Sequence, residues 1–94
     1  MKISYTNAFK KAAKKLPRNQ LSLLEDAIET IQKNPDAGDL KVGDLAGIRV
    51  YKFHIKHQNI LLAYYYHEND DHLTLLSFAP HENFYKNLKN QINR

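Results

Sequence analysis

The stretch RVYKFHIKHQNILLAYYY, residues 49–66, is the feature that most constrains how this chain folds. In its first half apolar and basic residues alternate with a period of two, so an extended backbone places Tyr51, Phe53 and Ile55 on one side, which we expect to face a core. The opposite side carries basic side chains, namely Lys52, His54 and Lys56. The second half is apolar on both sides, which is typical of a central strand covered by helices on one face and partly covered on the other.

Three strand-like runs follow one another in the second half of the chain, over residues 48–55, 60–67 and 72–79. Their connectors, KHQN and ENDD, are polar and too short to hold a crossover helix. The runs therefore predict an antiparallel meander in which residues 60–67 form the central strand.

The first third of the chain predicts one strand and two helices. KISYT alternates and indicates a strand over residues 2–6, which we expect to join the sheet. From Asn7, a residue type favoured as an N-cap, apolar residues recur at helical spacing as far as Leu16, and Pro17 ends this helix. A second helix, with an apolar stripe over residues 21–31, ends at KNPDAGD, so the two helices form a hairpin.

The closing segment HENFYKNLKNQINR places Phe84, Leu88 and Ile92 at helical spacing, which predicts a short C-terminal helix. The sequence contains no internal repeat, linker or low-complexity tract. The order strand, helix, helix, three strands, helix therefore predicts a single α+β domain over residues 1–94, with the helix hairpin on one face of a mixed sheet.

The charges of the chain are segregated along the sequence. Residues 1–20 hold six basic residues and no acidic one, whereas residues 21–48 carry a net charge of −4. The lysines of the first helix, among them Lys10, Lys11 and Lys14, lie on the side opposite its apolar stripe. This pattern favours a polyanionic partner on one surface, although a small domain also needs surface charge merely to stay in solution.

Several function classes are not supported by the composition. The chain has no cysteine, and it has no apolar run long enough to cross a membrane, so we expect a cytoplasmic protein without membrane contact. The histidines flank turns without a compact set of carboxylates beside them, so neither a metal site nor a cofactor is expected.

The order of elements, together with the segments NPDAGDLKVGDLAGIRVYKFHI, ILLAYYY and SFAPHENFYKNLK, resembles the RelE/ParE superfamily, the toxin halves of bacterial type II toxin–antitoxin systems. The resemblance covers nearly the whole chain, and its matching positions are Leu40, Lys41, Gly47, Arg49, Tyr51, Lys52, Tyr64, His81 and Tyr85. It implies a RelE-like sandwich of the microbial-RNase type and a cognate acidic antitoxin as partner.

Members of the RelE type cut mRNA in the ribosomal A site, whereas members of the ParE type poison DNA gyrase. The resemblance to RelE implies a cationic cluster on the exposed sheet face. This chain keeps Lys52 and Tyr85, but it has His54 in place of a second lysine, Leu61 in place of a strand-three arginine, and His81 near the position of a further arginine.

The predicted catalytic residues are therefore Lys52, His54, His81 and Tyr85. The predicted nucleic-acid contacts are Lys41, Arg49, Lys56, Lys10, Lys11 and Lys14.

Metal-free RNA cleavage needs a base for the 2′-hydroxyl proton, an acid for the departing 5′-oxygen and cations beside the phosphate, and histidine and lysine meet these needs. Each candidate also has a plain structural interpretation. Lysines on an exposed strand face are commonly solvated charges, and Tyr85 is equally suited to pin the last helix to the sheet.

Three functions remain open on the sequence alone. The chain is a ribosome-dependent mRNA endonuclease with the ribosome and mRNA as partners, or a gyrase-inhibiting toxin, or a toxin-like binding domain without activity. The basic and imidazole side chains on one predicted face favour the first function, and Leu61 counts against it.

Overall fold

The structure, a computed structural model, describes residues 1–92. The strands are β1 (Lys2–Tyr5), β2 (Asp39–Leu40), β3 (Arg49–Ile55), β4 (Gln58–His67) and β5 (His72–Pro80). The helices are α1 (Asn7–Lys14), α2 (Arg18–Lys33) and α3 (His81–Ile92), with short 3-10 helices at Gly43–Leu45 and Glu68–Asp70. The described helices include none that is long and apolar enough to span a membrane.

The five strands form one mixed sheet in the order β1-β5-β4-β3-β2. β1 pairs in parallel with β5, and the other neighbours are antiparallel. The predicted meander and the central position of β4 are confirmed. The predicted α+β class with a helix hairpin, an N-terminal strand in the sheet and a C-terminal helix is confirmed as well.

Each face of the sheet has its own core. On one face α1 and α2 pack over the inward side chains of β4 and β5, in a cluster that contains Phe9, Leu24, Ile31, Leu62, Tyr64, Leu73 and Leu75. On the other face α3 packs over the alternate positions, in a cluster that contains Leu45, Ile48, Val50, Leu61, Ala63, Phe84 and Leu88. The second face is covered in part, as expected, and its core extends onto β3, because Val50 is buried on the same side of β3 as the exposed Lys52.

The start of α1 corrects one expectation. The N-cap is Thr6, not Asn7: the Thr6 hydroxyl accepts a hydrogen bond from the Phe9 amide at 3.1 Å. A threonine hydroxyl next to the first helical residue satisfies an amide that the helix itself leaves without a partner. Pro17 separates α1 from α2, as the sequence predicts.

A β-bulge at Leu76 joins three parts of the fold. Ala63 pairs with Ser77 and Tyr64 pairs with Leu75, so Leu76 is the extra residue on β5. Its carbonyl oxygen accepts hydrogen bonds from the Thr6 hydroxyl and from the Gln91 side-chain amide. The start of α1 and the end of α3 are thereby tied to the same point of the sheet.

We expect Thr6→Ala to lower the free energy of unfolding by about 1–2 kcal/mol, because the substitution removes both the N-cap and the bond to the bulge. Urea denaturation followed by circular dichroism measures the change. Ser22→Ala is the matched control, because it removes an exposed hydroxyl bonded only within its own helix. Equal stability of the Thr6 and Ser22 variants would contradict the role of Thr6.

Candidate active-site groove

An open groove of about 320 Å³ lies on the α3 face of the sheet, beside the first turn of α3. β3, β4, α3 and the edge around β2 all contribute to it. The lining residues are Ala37, Asp39, Lys41, Val50, Tyr51, Lys52, Leu61, His81 and Tyr85.

Lys52 lines the groove from the sheet. It lies on β3 directly opposite Leu61 of β4, and the two positions share the face over which α3 packs. The Lys52 side chain is exposed, whereas Leu61 is only 4% exposed. Lys52 is therefore an exposed cation next to the apolar side chains over which α3 packs.

His81 and Tyr85 form the wall that α3 contributes. His81 is the first residue of α3, directly after Pro80 ends β5, and Tyr85 follows one helical turn later. Their ring centres are 6.2 Å apart in an edge-to-face arrangement. Tyr85 also contacts Phe84 and packs against the second core, so it both pins the helix and lines the groove.

The edge around β2 supplies the remaining polar groups. The Lys41 ammonium lies 5.7 Å from the centre of the Tyr85 ring, a cation–π distance, and the Lys41 amide donates to the carbonyl of Ile48 at 2.9 Å. Asp39 brings a carboxylate into the same groove. The lining of the groove therefore combines two lysines, one histidine, two tyrosines and one carboxylate.

The structure brings together four of the residues that the sequence predicted for the site, namely Lys41, Lys52, His81 and Tyr85. His54 lies further along β3, opposite Asn59, and is not part of the groove lining. Lys56 does not continue the strand, since β3 ends at Ile55 and Lys56 adopts a left-handed turn conformation with φ 57°. The prediction that Lys56 continues the extended segment of Lys52 and His54 is therefore wrong.

The other predicted nucleic-acid contacts lie away from the groove. Lys10, Lys11 and Lys14 are on α1, which packs on the opposite face of the sheet. Arg49 bonds within the chain: its guanidinium lies 3.2 Å from an Asp36 carboxylate oxygen and donates to the carbonyl of Gly38 at 2.9 Å.

Sequence reasoning missed Ala37 and Asp39. Both belong to the segment around β2, which the sequence presents as irregular and which becomes a strand only by pairing with β3. One local signal is present in the sequence. Ala37, Asp39 and Lys41 are spaced two residues apart, and in an extended backbone side chains at this spacing lie on the same side.

The resolved pKa shifts belong to structural contacts outside the groove. Burial raises the pKa of Tyr64. A hydrogen bond from Tyr66 to Asp71 raises the pKa of the Tyr66 hydroxyl and lowers the pKa of the Asp71 carboxyl. Within residues 1–92, no three His, Cys, Asp or Glu side chains are grouped as a metal site would require.

The family model of the ParE-like toxins of type II bacterial toxin–antitoxin systems matches residues 3–89. The chain therefore belongs to this toxin family, within the RelE/ParE superfamily that its motifs resemble. No curated protein sequence is similar enough to count as a relative.

Solved structures of the superfamily share the fold. A chain of the intact RelBE toxin–antitoxin complex of E. coli superposes with a TM-score of 0.68 at 15% identity, covering 86% of this chain and 96% of that one. A chain of the RelBE2 complex of Mycobacterium tuberculosis gives 0.71 at 18% identity, covering 84% and 95%. The YoeB/ParE toxin from Agrobacterium tumefaciens gives 0.71 at 18% identity, covering 86% and 99%.

We expect inorganic phosphate, titrated into the ¹⁵N-labelled protein, to shift the resonances of Lys52 and His81 but not those of His57, which lies in the β3–β4 turn. Phosphate is attracted to clustered cationic side chains. Lys52→Gln should weaken this binding about twofold to fivefold, the effect of removing one exposed ion pair. Identical titrations of the wild type and Lys52→Gln would show that the groove does not collect anions.

Proposed function

We propose that this toxin is a ribosome-dependent mRNA endonuclease and that the groove is its active site. The observation that carries the proposal is the convergence of Lys52, His81 and Tyr85 in one open groove. Cleavage by a neighbouring 2′-hydroxyl requires a base, an acid and a cation, and an imidazole, a phenol and an ammonium group can supply them.

In the proposed reaction His81 takes the proton of the 2′-hydroxyl, because a ring nitrogen of imidazole can act as a general base. The 2′-oxygen then attacks the adjacent phosphorus, and the bond from phosphorus to the 5′-oxygen breaks. Tyr85 donates its hydroxyl proton to the departing 5′-oxygen. The products are a 2′,3′-cyclic phosphate and a free 5′-hydroxyl.

The lysines supply the charge that this step needs. Lys52 and Lys41 flank the groove from β3 and from the β2 edge, so both can neutralise the phosphate as its negative charge increases. Asp39 is a second proton acceptor within the same groove. His54 lies outside the lining, so in this mechanism it is a neighbouring imidazole and not the base.

The openness of the site suits a large substrate. Within residues 1–92 the groove lies open at the surface of the domain. Messenger RNA held by a ribosome is already extended and positioned, so the toxin has to supply only the reacting groups. The lysines of α1, on the opposite face, are free of ion pairs within residues 1–92 and suit a second polyanionic contact.

A cognate acidic antitoxin is the second proposed partner. The E. coli and M. tuberculosis structures that share this fold are toxin–antitoxin complexes. We propose that the antitoxin offers carboxylates to Lys52, Lys56 and the lysines of α1, and that it keeps the toxin harmless while bound.

Gyrase inhibition is the alternative, and one position favours it. Leu61 of β4 occupies the place of an arginine that the resemblance to RelE implies, and it is buried in the second core with Phe84. The matching family is also described as ParE-like.

We expect His81→Ala and Lys52→Ala each to lower mRNA cleavage about 10²–10⁴-fold, the usual contribution of a positioned acid–base group or of an electrostatic stabiliser. Toeprinting on stalled ribosomes measures the cleavage. His72→Ala is the matched control, because His72 lies at the far end of β5 beside His67. A chelator should leave cleavage unchanged.

Undiminished cutting by the Lys52→Ala/His81→Ala double variant would refute this active site. Absence of cutting by the wild type, together with inhibition of supercoiling by gyrase, would assign the toxin to the ParE type.

We expect the product of a neighbouring gene to bind the toxin and to restore growth when the two are expressed together. The ionic part of the affinity should fall as salt rises, because exposed charges are screened. Calorimetry at about 50 mM and 500 mM salt tests this dependence. Expression of the toxin alone without growth arrest, and without any neighbouring product that binds, would remove the support for this partner.

A further inference from the structure

Gly38, in the segment that leads into β2, is held by two side chains from the middle of the sheet. Its amide donates to the Tyr64 hydroxyl at 2.8 Å, and its carbonyl accepts from the Arg49 guanidinium at 2.9 Å. Tyr64 and Arg49 are directly opposite one another on β4 and β3. One cross-strand pair therefore satisfies both backbone groups of a single loop residue.

The same pair also holds Pro35 and Asp36, which precede Gly38 in the loop. The Tyr64 hydroxyl donates to the carbonyl of Pro35 at 2.7 Å, and the Arg49 guanidinium lies 3.2 Å from a carboxylate oxygen of Asp36. The segment from Pro35 to Gly38 thus has four polar contacts to two side chains.

The contact at Gly38 is too close for any other residue. A Cβ atom there would lie 2.8 Å from Tyr64 Cε1 and from the Tyr64 hydroxyl, and 3.0 Å from the backbone of Val50. Tyr64 has no room to move away, because it is completely buried in the first core. The loop therefore reaches its position only with glycine at this point.

This contact sets which way the loop side chains point. Ala37, Asp39 and Lys41 line the groove, whereas Gly38 between them turns toward Tyr64 on the other side. β2 itself consists of two residues with two cross-strand partners, Val50 and Arg49. So short a strand holds its register weakly by its own hydrogen bonds.

We propose that Tyr64 and Arg49 are positioning residues of the groove, and that they hold the β2 edge so that Asp39 and Lys41 face Lys52, His81 and Tyr85. The sequence predicts that Arg49 contacts nucleic acid directly, and we propose the positioning role in place of that contact. The effect on cleavage rests on the proposed nuclease function, whereas the effect on loop position does not.

Tyr64→Phe tests the proposal, because it removes only the hydroxyl and keeps the ring that fills the core. Tyr66→Phe is the matched control: Tyr66 lies two residues further along β4 and borders Pro35 and Asp36 as well, but its hydroxyl donates to Asp71 and not to the loop. Arg49→Lys is a second variant at a side chain that is partly exposed, and it retains the charge without the forked donors.

Two measurements report loop position without any enzymatic assay. In Tyr64→Phe the amides of Gly38 and Lys41 should exchange with solvent about tenfold faster, the effect of losing one hydrogen bond of ordinary strength. The ring-current shift of the Lys41 ε-methylene protons, whose ammonium lies 5.7 Å from the Tyr85 ring centre, should shrink. Tyr66→Phe should leave both unchanged.

In ribosome cleavage assays, Tyr64→Phe and Arg49→Lys should lower kcat about 10–100-fold with a smaller change in KM, since the displaced groups act on the reacting phosphate. Retained protection of Gly38 and Lys41 in Tyr64→Phe would overturn the proposal, as would loss of protection with cleavage at the wild-type rate. A wild type that cuts no RNA would refute the nuclease function, and the exchange and ring-current data would still decide whether the pair positions the loop.

Discussion

The whole arrangement depends on β4 being buried on both faces. Leu62 and Tyr64 face the helix hairpin, and Leu61 and Ala63 face α3. A strand in this position cannot carry charge on either face without burying it, which would cost free energy that nothing nearby offsets. The arginine and lysines of residues 49–67 therefore lie on β3, one strand nearer the edge, and in the turn that follows it. The groove forms where the two strands meet, because α3 begins there and covers only part of the face.

Much of the fold could be predicted because its signals are local. Helical spacing, a proline break and two short polar connectors each depend on a few neighbouring residues, and the observed strand ends differ from the predicted ones by no more than two residues. β2 and the bulge at Leu76 could not be predicted in this way. Both depend on residues that are distant in sequence. β2 pairs with β3, and the Leu76 carbonyl at the bulge accepts hydrogen bonds from Thr6 and Gln91.

The candidate site shows the same division. Lys52, His81 and Tyr85 could be predicted because strand alternation and helix spacing fix where each one points. The alternation also places Arg49 on the side of Tyr51 and not on the side of Lys52. Arg49 is a predicted nucleic-acid contact, but in the structure its guanidinium contacts Asp36 and Gly38 of the loop on the Tyr51 side.

Leu61 of β4 stands where the resemblance to RelE implies an arginine, and its burial bears on the proposed chemistry. At 4% exposure, Leu61 packs with Phe84 under α3, and a guanidinium at this position would have to be buried without a partner or displace the helix. The second cation of the groove therefore has to come from another element. Lys41 supplies it from the β2 edge, so in the proposed mechanism catalysis would depend on how firmly the cross-strand pair of Tyr64 and Arg49 holds that edge.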